Sequence, residues 1–355
     1  MRITDFISND FFNLPKYQSE KEDYKIFVSK MLNEFLAKLN GIDSFNDIEF
    51  SIDSIRERQK HLIKYLLLAL DNYYDGKPAD ALNSLKQGLR SNIKDFGDLL
   101  NIRLFQSESD FYRIRIHKEN FPLPSDQFFH IPYDMRGKVK TQRFSIPGFP
   151  SLYLGTTVYV CWEELNRPNL NDFQAVRLKS TQNIKVVDLS PPKGENMTPY
   201  DYYKFLMTWP LVFLSSVSVR SYGDYFKPEY IIPQLLLQWV RENEEIDGLA
   251  YQTTHIDFSS TLSQGEFLNV VLPVKENKIR GLCSSLKQKF VMTESTSIQL
   301  NQSATSGATF FSGNTVGLND KIQKIELIKG RASPYDISTF GELEGILLSM
   351  DTKEI

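Results

Sequence analysis

Apolar residues recur at intervals of three and four positions in the first third of the chain, which is typical of one buried face of a helix. In residues 55–70 this pattern holds at Ile55, Leu62, Ile63, Leu66, Leu67 and Leu70. A break from Asp75 to Pro78 ends that helix, and the same spacing resumes at Ala81. The pattern predicts a helical hairpin within an all-helical N-terminal domain, residues 1–105. Because no second copy follows at a fixed period, we do not expect a solenoid.

After about residue 105 the sequence pattern changes to short runs rich in β-forming residues, each bounded by Gly, Pro, Asn or Asp. The predicted strands are 111–116, 151–154, 184–189, 248–251 and 268–274, and the predicted helices between them are 159–165, 200–219 and 232–241. These elements predict an α/β (α+β) core of mixed β-sheets flanked by helices over residues 106–285. We expect residues 286–355 to form a C-terminal extension packed on that core, with a loop or small irregular extension at 293–314.

Composition narrows the classes of function. The longest apolar run of the 355 residues extends only from Tyr65 to Leu70, far less than the roughly 20 residues that span a bilayer. The first residues lack a secretory signal, so we expect a cytoplasmic protein without membrane association. A net charge of −3 argues against a broad nucleic-acid surface. Two distant cysteines and four scattered histidines form no metal pattern, and we expect neither a metal nor a bound cofactor.

One segment, residues 141–165, sets an arginine, a tyrosine and a glutamate around a Pro-Gly turn: Arg143, Pro147-Gly148, Tyr153 and Glu164. If the last part of it is helical, Glu164 lies at the edge of the apolar face and Glu163 points nearly opposite. That spacing alone favours two solvated glutamates. The whole pattern, however, resembles the signature of the RES domain family, and with flanking matches the resemblance covers roughly residues 106–290.

The RES resemblance implies a fold like that of ADP-ribosyltransferases and an enzyme that degrades NAD+, which is then a substrate and not a cofactor. The family glutamate follows the strand tyrosine by eleven positions, from 153 to 164, which makes Glu164 the expected catalytic carboxylate. Arg143 is expected to bind the diphosphate as a bidentate fork. Tyr153 is expected to lie against the nicotinamide or to hydrogen-bond to the ribose; the alternative is a core tyrosine.

The resemblance also assigns weaker candidates. Thr253 stands where the family has its catalytic serine, and it keeps the hydroxyl, while the neighbouring His255 is a candidate to share its role. Asn269 matches an asparagine on the following strand that could bond to ribose or to a loop. The remaining expected substrate-binding residues are Arg113 with Tyr112, which otherwise belong to a half-exposed strand, and Phe144, which replaces a tryptophan.

Cleavage of NAD+ needs little acid catalysis, because nicotinamide leaves as a neutral ring and one carboxylate suffices for the cationic sugar. Inorganic phosphate as co-substrate makes the enzyme an NAD+ phosphorylase, and water makes it an NAD+ glycohydrolase. Such an enzyme is expected to act as a toxin or defence effector, restrained by an Xre-type antitoxin or an immunity protein. The N-terminal helical domain is then a regulatory or homo-oligomerising element.

Other interpretations stay open at this point. The enzyme could transfer ADP-ribose to a macromolecule, or the chain could be an inactive RES-fold binding module, an alternative that the threonine in place of serine at position 253 leaves open. Arg56 and His61 have the spacing of the HEPN ribonuclease motif, but residues of this kind on a charged helix face are usually solvated.

Overall fold

The computed structural model describes residues 1–90, 100–193, 197–221, 223–256, 258, 261–304 and 322–355. These residues form two units. Unit 1 comprises Met1–Arg103, Lys140–Ile146 and Val186–Leu249, and unit 2 comprises Leu104–Val139, Pro147–Lys185 and Ala250–Ile355. The chain enters each unit more than once, so the units do not coincide with the three consecutive segments expected from the sequence. The predicted boundaries at 105 and 285 stay predictions.

The α/β fold class is confirmed. In chain order, the helices of the described residues are α1 (Ile3–Ile7), α2 (Tyr24–Asn40), α3 (Ile52–Tyr74), α4 (Pro78–Leu89), α5 (Val158–Glu164), α6 (Pro199–Ser216), α7 (Ile231–Glu242), α8 (Ser284–Lys287), α9 (Ile298–Ala304) and α10 (Thr339–Ser349). None of these helices combines the length and the apolar character needed to cross a membrane.

The strands of the same residues are β1 (Ile102–Phe105), β2 (Asp110–Ile116), β3 (Ser151–Gly155), β4 (Phe173–Ser180), β5 (Ile184–Leu189), β6 (Gly248–Gln252), β7 (Gln264–Gly265), β8 (Leu268–Pro273), β9 (Phe290–Thr293), β10 (Ile322–Ile328), β11 (Arg331–Pro334) and β12 (Thr352–Glu354). All five predicted strands are confirmed, as β2, β3, β5, β6 and β8. The predicted irregular stretch 293–314 contains α9, and its last part lies outside the described residues.

Unit 1 contains the predicted helical hairpin, α3 and α4. Pro78 occupies the first turn of α4, where its missing N–H costs nothing. The HEPN interpretation is not supported, because the two residues serve different helix ends. The Arg56 guanidinium donates to the carbonyl oxygens of Leu39 and Asn40 at the end of α2, and His61 Nε2 bonds to the carbonyl of Gln87 near the end of α4.

The core of unit 1 is aromatic. Trp209 of α6 is fully buried, and its ring lies 4.5 Å from that of Phe35 on α2 and 5.3 Å from that of Phe213. Such large rings bury the most apolar area per residue, so α2 and α6 pack against each other through an aromatic cluster.

Unit 2 is built on neighbouring sheet strands in the order β6, β8, β3, β2, β4, β9 and β12, with β6 entering from Ala250 onward. The pairs β8–β3, β3–β2, β2–β4, β4–β9 and β9–β12 are antiparallel. A second sheet has the order β11, β10, β7. In the main sheet Gly155 lies opposite Asn269 on one side and opposite Tyr112 on the other.

Helix α5 follows β3 after a two-residue connection and packs closely on the sheet. A Cβ at Gly155 would stand 2.6 Å from Cys161 Sγ, so the absence of a side chain there permits the approach. Helix α10 packs on α5, because the Phe340 ring lies 5.2 Å from Tyr159 and 5.0 Å from Trp162. Helix α10 therefore belongs to the same apolar cluster as α5, β2 and β4.

Candidate functional site

Glu164 is the last residue of α5, and its side chain is 28% exposed. Its Oε1 accepts a hydrogen bond of 2.7 Å from Nδ2 of Asn269. Asn269 is buried on β8 opposite Gly155, so the amide comes from the sheet directly beneath α5. A buried donor fixes the orientation of a carboxylate that keeps access to solvent, which is the arrangement that an electrostatic catalyst needs.

His255 is the second polar group beside this carboxylate. Its Nε2 lies 3.8 Å from Glu164 Oε2, too far for a direct hydrogen bond. Thr253, which the RES resemblance aligned with a serine, is 2% exposed, and its Oγ1 accepts the backbone N–H of His255 at 3.3 Å. The threonine hydroxyl thus holds the turn that carries His255, and its burial keeps it from contact with a substrate.

Tyr153 lies on the same face of the sheet as Asn269. The register pairs Tyr153 with Val271 and Gly155 with Asn269, and residues two apart on a strand share a face. Burial raises the pKa of the Tyr153 phenol, so it stays protonated and able to donate a hydrogen bond at physiological pH. Glu164, Asn269, His255, Thr253 and Tyr153 all belong to unit 2.

Tyr112 and Arg113 point to opposite faces of β2, because successive side chains alternate along a strand. Tyr112 is 1% exposed and belongs to the apolar cluster that includes α5. Its predicted contact with substrate is not supported, because a buried core ring has no free surface. Arg113 donates from Nη1 to the carbonyl of Tyr153 at 2.9 Å, and burial lowers its pKa to about 10, so it remains a cation at neutral pH.

Arg143 and Phe144 belong to unit 1. Phe144 is a buried core residue with 1% exposure, which leaves no ring surface for the predicted substrate contact. Arg143 Nη1 donates to the carbonyl oxygens of Ser215 at 3.1 Å and Val217 at 2.9 Å, at the end of α6. Its guanidinium carbon stands 5.4 Å from the Tyr230 ring centroid. A cation at a helix C-terminus is favourable, so Arg143 has a structural role that the sequence pattern did not predict.

The expectation from spacing alone, that both glutamates of α5 are solvated, is wrong for Glu163. It does point away from Glu164, but its side chain is 1% exposed and its Oε2 pairs with Arg167 Nε at 2.9 Å. The partner lies four positions further along the chain, beyond the end of α5, where Asn166 and Arg167 both have positive φ. Of the two neighbouring acids, only Glu164 is accessible to a substrate.

Glu344 is a further acid that sequence reasoning missed. It lies on α10 with no exposed surface, and its Oε1 accepts the Val158 N–H at 2.6 Å and the Tyr335 hydroxyl. Oε2 has no hydrogen-bond partner among the described residues. Burial raises the pKa of this carboxyl to about 8. Its position between Phe340, Leu343 and Leu347 was the available signal, since these three apolar residues mark the buried face of α10.

Within the described ranges no cluster of three or more His, Cys, Asp or Glu side chains is arranged to hold a metal ion.

The chain is similar to a curated toxin-named protein. The chain is 31% identical over 305 residues to a Bacillus subtilis (strain 168) protein named "Putative toxin YopC", and the alignment covers 80% of this chain and 68% of that protein. No family model and no solved structure matches the chain.

Proposed function

Because this chain belongs to the protein family of Bacillus subtilis YopC, we propose that it is a toxin that acts by cleaving NAD+ between ribose and nicotinamide. The name of the relative supports the toxin role. The resemblance of residues 141–165 to the RES signature supports the substrate. The observation that carries the proposal is the geometry of Glu164, a partly exposed carboxylate fixed by a buried amide.

In the proposed reaction, the bond from ribose C1′ to the nicotinamide nitrogen breaks, and its electron pair passes to the ring, which leaves neutral. The ribose becomes an oxocarbenium-like cation. Glu164 stabilises that cation by charge, and Asn269 keeps the carboxylate from rotating away. Because the leaving ring needs no proton, the missing second catalytic carboxylate of an ordinary glycosidase is no obstacle.

Other side chains have supporting roles in this proposal. The Tyr153 phenol donates to the ribose or lies against the nicotinamide, and Arg113 supplies a cation for the diphosphate. Inorganic phosphate captures the sugar cation and gives ADP-ribose 1-phosphate, whereas capture by water gives ADP-ribose and a proton. As a toxin the protein would be held inactive by a partner of the antitoxin kind, for which the RES resemblance favours an Xre-type protein.

The test is product analysis. Purified protein is incubated with NAD+, with and without inorganic phosphate, and the products are separated by mass. We expect nicotinamide together with ADP-ribose 1-phosphate or ADP-ribose. Mass added to a protein would identify transfer to a macromolecule, and unchanged NAD+ under both conditions would refute the proposal in favour of a binding module.

Two variants of α5 locate the activity. Glu164→Gln removes the charge and keeps the size, and we expect turnover to fall at least about 100-fold. Glu163→Gln is the matched control, because it changes the adjacent acid and retains a hydrogen bond to Arg167. It should keep turnover within about twofold. Equal losses in both variants would show that the effect comes from the helix and not from the Glu164 charge.

A further inference from the structure

We propose that Glu344 is a positioning residue that fastens α10 to the first turn of α5 and thereby holds Glu164 in place for catalysis. This inference rests on the proposed function, since it assigns Glu344 a part in that reaction. Glu344 itself is buried and touches no substrate, so it acts only through α5.

The contact is directed at the first turn of α5, whose N–H groups need acceptors from outside the helix. The first N–H groups of a helix have no acceptor within the helix. Thr157, the N-cap, accepts the N–H of Val160 at 3.2 Å, and Glu344 accepts the N–H of Val158 at 2.6 Å. Two residues from different parts of the sequence therefore satisfy the start of the helix. Of these, only Glu344 connects it to another element.

α5 is short, and this makes its two ends dependent on each other. It extends only from Val158 to Glu164, fewer than two helical turns. A displacement of the first turn is therefore passed to the Glu164 backbone. Because catalysis depends on placement to within about 1 Å, the bond at Val158 and the bond from Asn269 must both be formed for the carboxylate to meet the sugar.

Helix α10 contacts both α5 and β4, and these contacts hold the Glu344 backbone in place. Its Phe340 packs on Tyr159 and Trp162 of α5. Arg177 of β4 donates to the carbonyl oxygens of Leu348 and Met350 at the end of α10. Glu344 lies one helical turn after Phe340, on the same face, and this places the carboxyl and the aromatic contact side by side.

The protonation state of Glu344 makes its contact with α5 dependent on pH, which apolar packing alone would not do. Its pKa of about 8 follows from burial, which disfavours the charged form, while the Tyr335 hydroxyl and the Val158 N–H act in the opposite direction. Ionisable neighbours that act on this network are Asp110 and Tyr112 of β2, Cys161 of α5 and Tyr335. Asp110 raises the pKa further by charge repulsion. Ionisation above pH 8 puts an unsolvated charge between α5 and α10.

The experiment compares steady-state NAD+ turnover of three variants with the unmodified chain at pH 7 and across pH 6–9.5. Glu344→Leu fills the space without an acceptor, and we expect kcat to fall about tenfold with KM changed less than about threefold. Glu344→Gln keeps an oxygen for both donors and cannot ionise. Because ionisation of Glu344 disturbs the contact between α5 and α10, we expect kcat of the unmodified chain to decline as the pH rises above about 8. For Glu344→Gln we expect kcat at pH 7 within about twofold of the unmodified value and no such decline. Glu342→Gln, on the same helix, should change neither quantity.

Tyr335→Phe gives an independent measurement if Glu344→Leu fails to fold. Loss of the phenol removes a donor that lowers the Glu344 pKa, so the alkaline decline should move to higher pH. Unchanged kcat in a folded Glu344→Leu protein, or an identical decline in Glu344→Gln, would overturn the inference. An unmodified chain that leaves NAD+ intact would instead refute the proposed function.

Discussion

The two ends of α5 meet acids of opposite character. At the first turn, Glu344 is fully buried, and burial raises its pKa to about 8. At the last residue, Glu164 is 28% exposed and receives the amide of Asn269. The difference shows that the surroundings of a glutamate, and not the residue type, decide whether it has a structural or a catalytic role. A carboxyl without solvent serves as a structural acceptor, whereas one with solvent and a fixed orientation is available for chemistry.

The largest expected effect comes from replacing the acid at each end of α5 by its amide, one at a time. Glu164→Gln is expected to reduce NAD+ turnover at least about 100-fold, or about 2.7 kcal/mol in transition-state stabilisation. Glu344→Gln should leave turnover at pH 7 nearly unchanged. Steady-state kinetics of the two variants, measured side by side, test this difference. Equal losses of activity would contradict the assignment of separate roles to Glu164 and Glu344.

The next effect concerns stability. The folded-state pKa of Glu344 is raised from 4.5 to about 8, so its contribution to stability is complete below about pH 4.5 and is lost as the pH rises to about 8. Between pH 6 and pH 8 the free energy of unfolding should fall by about 2 kcal/mol more in the unmodified chain than in Glu344→Gln. Urea unfolding at the two pH values measures this. Parallel curves would show that Glu344 does not titrate in this range.

Asn269→Ala tests the support at the exposed end of α5. Removal of the amide eliminates a charge-assisted hydrogen bond, and we expect kcat to fall about tenfold, or about 1.4 kcal/mol, with little change in the melting temperature. Asn171→Ala, at an exposed loop position, is the control. A fall in KM without a fall in kcat would contradict a role in orienting Glu164.

The smallest effect is expected at Thr253. Thr253→Val retains the shape but leaves the His255 N–H without its acceptor, and turnover should fall about threefold. Thr253→Ser keeps the hydroxyl and should remain within about twofold of the unmodified chain. If both variants lose activity alike, the methyl group and not the hydroxyl is what the site requires.

The sequence pattern predicted those elements whose apolar periodicity and turn residues are clear within the element itself. The hairpin of α3 and α4, the strands β2, β3, β5, β6 and β8, and α5 all lie close to their expected positions, because their periodicity and turn residues are local. The strand β4 was missed. The strand contains the polar residues Gln174 and Arg177, which are buried and donate to the carbonyl oxygens of Phe121 and Leu348. Both acceptors are distant in sequence, so the local pattern did not indicate that these polar residues could be buried in a strand.

The sequence by itself determined the class of fold and pointed to Glu164, through the interval that separates it from Tyr153. The tertiary structure decided which neighbours these residues have. It buried Tyr112, Phe144 and Glu163, and it brought Asn269 to Glu164 and Glu344 to Val158. The reason is that helix and strand periodicity depend on adjacent residues, whereas the hydrogen bonds that place Glu164 and Glu344 join residues 105 and 186 positions apart along the chain.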